Sequence, residues 1–359
     1  MGREILLTAC FHVVEQKPLY LCNGWLGRTY LAHPCELPSQ RLSRLVKEIG
    51  DDERGVTAFL NRWAGKERTN QFIVFDITSI SSYSRSIDYV EWGYNRDKEG
   101  LAQINLGVVY AEPPDTPLFY SIYPGSVPDV KTLKNILKKL SVFKVPKTLF
   151  VLDKGFYSQA NLSAMGTEIE FIMPLPVNTK IFGALIDRHV EGLVKPDNAF
   201  YCRKQLLYKK QAAVSIGEKE YSVHLFLDTK RKQEEESHLQ GFILEVESRV
   251  KARPDTRYGF LKSFLDDAFP GWEHYFKIAH QSGVYRVVKQ SQAIEAAVRR
   301  FGTLILLSNS RVDGEGVLAF YRKKDGVEKF FDSMKNGLDR KRLRIHGRKV
   351  LEGLLFIDF

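Results

Sequence analysis

Short and nearly continuous apolar runs are the clearest pattern in the first half of the chain. Residues 72–77 read Phe-Ile-Val-Phe-Asp-Ile, and residues 148–152 read Thr-Leu-Phe-Val-Leu. Runs of this kind are typical of strands buried on both faces of a sheet. Between them, segments 103–111 and 117–123 are joined by Pro113-Pro114-Asp115, which predicts a hairpin. A further core strand is predicted at 303–307.

Apolar residues at helical spacing predict helices over 39–64, 129–141 and 314–336, and Gly50-Asp51-Asp52 should break the first of these into two. The order is then strand, hairpin, helix, strand, helix, strand. That order predicts an α/β fold with a mixed sheet and crossover helices.

Pattern regularity drops between about 175 and 300, where we predict a largely β inserted domain. Its predicted strands are at 199–207, 210–216, 220–227 and 241–249, with helices at 258–267 and 290–300. The predicted organisation is an N-terminal, partly helical leader (1–70), a first core segment (71–175), a β-rich insertion (176–300) and a second core segment (301–359). Because the chain ends within the apolar pattern 354–359, we expect the natural protein to continue.

Composition favours a globular protein with a polyanionic partner. The 359 residues are 44% hydrophobic and 27% charged, with a formal net charge of +10. Residues 321–349 hold eleven Lys or Arg against four acidic residues, so most of the excess is local. Four cysteines without a C-x-x-C pair and the absence of an 18-residue apolar run predict a reduced cytoplasmic protein outside the membrane, nucleoid-associated if bacterial.

Three carboxylates are the candidates for chemistry. Asp76 lies in the first apolar run, Asp153 follows the second, and Glu328 lies on the predicted helix at 314–336. If the two strands are neighbours, the aspartates lie about 5 Å apart, where they can share divalent cations. The alternative for each aspartate is a strand-end cap or turn residue. No phosphate-binding G-x-x-x-x-G-K-[ST] motif and no H-E-x-x-H motif occurs.

The predicted helix also presents Tyr321, Lys324, Glu328 and Lys335 at separations of three, four and seven, which puts them on one face. A carboxylate between cations and a tyrosine suits a metal ion beside a phosphate backbone. The alternative is an amphipathic surface helix with ordinary charge pairs.

Together these features resemble a DDE transposase of bacterial insertion sequences with the signature Y-x₂-R-x₃-E-x₆-K. That signature reads Tyr321, Lys324, Glu328, Lys335 here, with Lys324 in place of the family's Arg. Blocks around Phe75-Asp76, Trp92–Asp97, Tyr123–Asp129 and Asp153–Tyr157 also look familial. The resemblance covers about 70–175 and 300–359. It implies an RNase H-like core interrupted by a β-rich insertion.

The resemblance further implies an enzyme that cleaves DNA at transposon ends and transfers the 3′-hydroxyl into target DNA. Asp76, Asp153 and Glu328 would be the catalytic residues and would bind two Mg²⁺ ions, with Mn²⁺ as a substitute. Tyr321, Lys324 and Lys335 would contact the DNA backbone, and Arg322 would compensate in part for the missing Arg. The implied partners are the inverted-repeat ends, target DNA and a second copy of the chain on DNA. The alternatives are a truncated or domesticated transposase that only binds DNA, and a metal-dependent nuclease of the same fold.

Overall fold

The structure is a computed structural model that describes residues 1–359 except 32, 34, 67–71, 144, 146–148, 254–256, 282 and 339. The predicted boundary at residue 70 and the predicted strand residue 148 therefore lie outside the described residues. The chain divides into two compact units. Unit 1 contains Met1–Pro174, Ser215–Tyr221 and Leu307–Phe359, and unit 2 contains Leu175–Val214 and Ser222–Leu306. Over the described ranges, no helix is both long and apolar enough to cross a membrane.

Unit 1 begins with four helices: α1 (Gly2–Glu15), α2 (Cys22–Leu26), α3 (Ser39–Asp51) and α4 (Glu53–Lys66). The predicted break near Gly50-Asp51-Asp52 is confirmed, since α3 ends at Asp51 and α4 begins at Glu53. Helix α1 was not predicted, because its apolar residues surround the helix and leave no single stripe.

The sheet of unit 1 is built from β1 (Phe72–Ser82), β2 (Gln103–Glu112), β3 (Thr116–Pro124), β4 (Leu149–Leu152) and β5 (Phe171–Pro174). The strand order is β3-β2-β1-β4-β5. The β1–β2 and β2–β3 pairs are antiparallel, whereas β4 runs parallel to both β1 and β5. This confirms the predicted hairpin and the mixed α/β sheet.

Two crossover helices carry the chain between these strands. Helix α5 (Asp129–Val142) connects β3 to β4, and α6 (Gln159–Met165) connects β4 to β5. The Ser158 hydroxyl accepts a hydrogen bond from the Asn161 N–H and caps α6 at its N-terminus. Both helices agree with the apolar periodicity of the sequence.

Unit 2 contains α7 (Lys180–His189), β6 (Ala199–Cys202), and most of β7 (Gln205–Ile216) and β8 (Lys219–Leu227). There follow α8 (Thr229–Lys251), α9 (Tyr258–Ala268), β9 (Phe276–Gln281), β10 (Val284–Lys289), α10 (Ser291–Arg300) and β11 (Thr303–Ser308), whose last residues belong to unit 1. The β11 strand agrees with the predicted core strand.

The predicted strand at 241–249 is wrong, because this segment lies inside α8. Leu239, Ile243 and Val246 recur at helical spacing and are buried in the core of unit 2. Ion pairs one turn apart, such as Arg231 with Glu235, support the same helix on its exposed side. We expected the segment 176–300 to be mostly β. Its described residues instead include four helices, α7 to α10, so this expectation is wrong.

The chain then returns to unit 1 with α11 (Gly314–Arg322) and α12 (Asp325–Asp332), a π-helical turn (Ser333–Gly337), β12 (Arg342–Leu343) and α13 (Arg348–Asp358). The single helix predicted over 314–336 is therefore two helices. Around Lys323 and Lys324 the backbone hydrogen bonds are of the tighter i→i−3 kind, which separates α11 from α12.

Helix α13 packs against α3 at very short range. A Cβ added to Gly353 would lie 1.9 Å from the carbonyl oxygen of Val46, so only glycine permits this approach. The short strand β12 pairs in parallel with the last residues of β1. The last two elements of the chain therefore belong to the packing of unit 1.

Candidate active site

Two neighbouring strands bring Asp76 and Asp153 to the same part of the sheet. Phe75 of β1 is paired with Leu152 of β4 in parallel register. Asp76 is the next residue of β1, and Asp153 is the residue directly after β4. Residues Phe72–Phe75 and Leu149–Leu152 are buried, which anchors both strands in the core. The predicted condition that the two strands be sheet neighbours is therefore met.

A third carboxylate reaches the same point from α12. Lys324, at the junction of α11 and α12, extends its ammonium group among all three carboxylates. Its Nζ lies 3.1 Å from Asp153 Oδ1, 3.4 Å from Asp76 Oδ2 and 3.5 Å from Glu328 Oε1. Asp76, Asp153 and Glu328 thus converge on one nitrogen, although they come from three separate elements. We call these four residues the acid cluster.

Exposure differs strongly across the acid cluster. The side chains of Lys324 and Asp76 are only 12% and 15% exposed, whereas that of Glu328 is 58% exposed. Burial raises the pKa of Asp76 to about 6, although the Lys324 charge acts in the opposite direction. The pKa of Lys324 lies above its ordinary value, since the attraction of Asp76 and Asp153 outweighs the effect of burial. The acid cluster is therefore shielded from solvent where it meets the sheet and accessible to solvent at Glu328.

Tyr321 belongs to the same environment. It lies on α11 one turn before Lys324, and burial together with the charge of Asp153 raises its pKa to about 12. The phenol therefore stays protonated and can donate a hydrogen bond. Arg322, its neighbour, is partly buried.

Lys335, predicted from the sequence to contact DNA, has a protein partner. Its Nζ donates to Asp97 Oδ2 at 2.7 Å, and its side chain is only 11% exposed. The structure therefore places Lys324 inside the acid cluster and Lys335 in an ion pair, rather than on an open surface.

The structure also brings a residue to the site that the sequence analysis did not select. The Arg96 guanidinium donates to Asp129 and, at 3.0 Å, to the Ser79 hydroxyl three residues beyond Asp76 on β1. Its positive charge opposes the rise in the pKa of Asp76 that burial causes. The sequence offered one signal for Arg96, its position in the block Trp92–Asp97 that resembles the family. The number of residues between Arg96 and the aspartates does not predict that they meet.

The donor set has the chemistry that a divalent cation requires, because Mg²⁺ and Mn²⁺ prefer carboxylate oxygens. In the described part of the chain, no group of three or more His, Cys, Asp or Glu lies close enough to hold a metal ion. The three carboxylates of the acid cluster have the required donor chemistry, but they are not close enough together to hold a metal ion in the present arrangement, in which Lys324 Nζ lies between them. Their donor chemistry, and not their present spacing, therefore fits a divalent cation.

A single family model covers most of the chain. Residues 67–358 match the family described as Transposase DDE domain. No curated protein matches the chain. Among solved structures, the piggyBac transposase synaptic complex with hairpin DNA aligns with 80% of this chain and 45% of its own at 10% identity, with a TM-score of 0.41. This chain thus spans less than half the length of that one.

Two Mos1 structures also align, each with a TM-score of 0.20. The paired-end complex with the left transposon end is 15% identical over 45% of this chain and 55% of its own. The pre-cleavage transpososome is 13% identical over 52% of this chain and 62% of its own. Similarity this low carries no argument about the site, so the inference of family rests on the match over residues 67–358.

Proposed function

Because the chain belongs to the Transposase DDE domain family, we propose that it is a transposase that cleaves DNA at transposon ends and joins the 3′-hydroxyl to target DNA. The observation that carries this proposal is the acid cluster, in which three carboxylates lie within 3.5 Å of one ammonium nitrogen. Carboxylates gathered from distant parts of a chain are costly unless a cation balances them.

Asp76, Asp153 and Glu328 would hold two Mg²⁺ ions, and Mn²⁺ would substitute. When bound, such ions activate a water or a 3′-hydroxyl and stabilise the leaving oxygen of an in-line displacement. The buried strands β1 and β4 fix Asp76 and Asp153, whereas exposed Glu328 can adjust on α12. Arg96 helps to keep Asp76 ionised at neutral pH.

Tyr321, Arg322, Lys324 and Lys335 would contact the DNA backbone beside the acid cluster. The stretch 321–349, with eleven basic and four acidic residues, supplies the positive potential for a duplex. For Lys324 and Lys335 such contacts require the side chains to leave their present partners. The proposed partners are double-stranded transposon ends and target DNA, with a second copy of the chain completing the complex on DNA.

Within this proposal the catalytic core comprises 71–175 and 301–359, and residues 1–70 and 176–300 are the leader and the insertion. Two alternatives belong to other functional classes. The first is a protein that binds transposon ends without transposition, which is favoured by Lys324 where the family signature has Arg. The second is a metal-dependent nuclease of the same fold.

The decisive experiment uses intact protein and labelled duplexes that carry the terminal inverted repeats of its own element, with supercoiled plasmid as target. We expect nicking that requires Mg²⁺ or Mn²⁺, followed by joined products. Binding without nicking would support the DNA-binding alternative, and nicking without joining would support the nuclease. The absence of both binding and nicking on every duplex would refute all three.

A matched pair of variants tests the residue assignment in the same assay. Glu328→Gln removes the charge of a carboxylate in the acid cluster, and Asp325→Asn removes a similarly exposed charge one turn earlier on α12. Only Glu328→Gln should abolish nicking. Equal nicking by both variants would rule out Glu328 as a member of the catalytic set.

A further inference from the structure

The position of Lys324 has a consequence beyond the proposed function. Its ammonium group is the cation that the three carboxylates share, and only 12% of the lysine side chain is exposed. The three contacts reach β1, the end of β4 and α12. A lysine so placed does more than occupy the DNA-facing surface: it holds the acid cluster together.

A divalent ion and this ammonium group cannot both occupy the centre. The ion would bind the same carboxylate oxygens that now lie 3.1–3.5 Å from Nζ. Two positive charges at such separations repel strongly where water is largely excluded. The lysine must therefore move when the ion enters.

The lysine side chain can make this move at little cost. It is a compact charge on a flexible four-carbon stem, whereas an arginine would present a wide planar fork. Its backbone lies at the tight junction of α11 and α12, beside exposed Glu328, so the open side of the cluster is within its reach. A phosphate of bound DNA on that side would offer the displaced ammonium a new anionic partner.

We propose that Lys324 exchanges between two partners, the carboxylates and a DNA phosphate, and thereby couples divalent-ion binding to DNA binding. This inference rests on the proposed function, because it takes DNA and the metal ion as its two ligands. Binding of either ligand, the divalent ion or DNA, favours the position of Lys324 that the other ligand requires. The ion expels the lysine toward DNA, and DNA captures the lysine and leaves the carboxylates open to the ion.

Thermodynamic linkage makes the coupling reciprocal, so it can be measured from either side. Divalent ion should tighten DNA binding, and DNA should tighten ion binding by the same factor, which we expect to be about 5- to 100-fold. Lys324→Met keeps most of the side-chain length and removes the charge. It should bind the ion more tightly than the wild type in the absence of DNA, and it should lose most of the coupling.

The experiment measures binding and not cleavage. Ca²⁺ is titrated calorimetrically into wild type, Lys324→Met and Lys329→Met, with and without a transposon-end duplex, and gels verify that the duplex stays intact. Lys329→Met is the matched control, since it removes a 76%-exposed lysine of α12 that pairs with Asp325. Fluorescence anisotropy then gives DNA affinity for the same proteins with and without Ca²⁺.

The inference is supported by two results together. In the absence of DNA, Lys324→Met should bind Ca²⁺ at least about fivefold more tightly than wild type, and its coupling between Ca²⁺ and DNA should be smaller, whereas Lys329→Met should behave like wild type in both respects. It is overturned if Lys324→Met binds Ca²⁺ no more tightly than wild type, or if wild type shows no coupling. The wild-type measurement needs no variant, so a folding defect in Lys324→Met would not remove the test. Nicking by wild type without any coupling would refute the exchange and leave the proposed function intact.

Discussion

Lys335 and Asp97 form an ion pair across 2.7 Å, which joins the π-helical turn after α12 to the segment between β1 and β2. Their side chains are only 11% and 24% exposed, so the pair is partly withdrawn from solvent. The same turn follows the helix of Glu328, and the segment before β2 also carries Arg96. The pair therefore joins the turn that follows the Glu328 helix to the segment that carries Arg96.

Replacement of Lys335 should therefore affect stability as well as DNA affinity. We expect Lys335→Ala to lower the free energy of unfolding by about 1–3 kcal/mol, because it leaves the Asp97 carboxylate without its ammonium partner. Urea unfolding measures this. In a double-mutant cycle, Asp97→Ala should cost less in the Lys335→Ala background than in the wild type. Strict additivity would contradict an energetically significant pair.

Replacement of Glu328 should affect cleavage and little else. Its side chain is 58% exposed and its nearest cation is shared with two other carboxylates, so Glu328→Gln removes little stabilising interaction. We expect the free energy of unfolding to change by less than about 0.5 kcal/mol. DNA affinity should stay within about twofold, which corresponds to about 0.4 kcal/mol. Loss of DNA binding in parallel with cleavage would show a binding role instead.

Asp76 should make the DNA-free protein less stable as pH rises. The pKa of this carboxyl is about 6 in the folded protein against 3.8 ordinarily, so the folded state binds more protons than the unfolded state between about pH 4 and 6. Stability from this group is therefore present at low pH and is lost through that window. Without divalent ions, Asp76→Asn should be more stable than wild type at pH 7.5 by about 1–3 kcal/mol. The advantage should vanish near pH 4, and a constant difference across this range would contradict the assignment.

The first and last helices should depend on one buried ion-paired group. Asp358 of α13 is 1% exposed and accepts from Arg340 Nε at 2.6 Å, and His12 Nδ1 of α1 lies 2.9 Å from its other oxygen. Asp358→Ala leaves a largely buried cation unpaired and should cost about 3–5 kcal/mol in chemical unfolding. Hydrogen exchange should then speed up in α1 as well as α13. The control, Asp51→Ala on the surface of α3, should change stability by less than about 0.5 kcal/mol.

Local pattern was sufficient for most elements of the fold. The apolar runs at 72–77 and 149–152 predicted β1 and β4, because a strand buried on both faces has no polar alternation. Helical spacing predicted α5 and the α3–α4 break. Where local pattern was ambiguous, it failed: Gly241–Val246 is apolar enough to look like a strand, and only the core of unit 2 makes it a helix.

For the candidate site, the sequence by itself determined which residues carry charge and where each lies on its own element. It predicted Asp76, Asp153 and Glu328 as candidates. The convergence of Asp76 and Asp153 followed once β1 and β4 proved to be neighbours, whereas Glu328 reaches the same point from α12. It also assigned Lys324 and Lys335 to one helix face. Their partners were decided by residues far away in the chain, as Lys324 meets Asp76 and Lys335 meets Asp97. Spacing records only neighbours along one element, whereas a buried charge takes the opposite charge that the tertiary structure brings within reach.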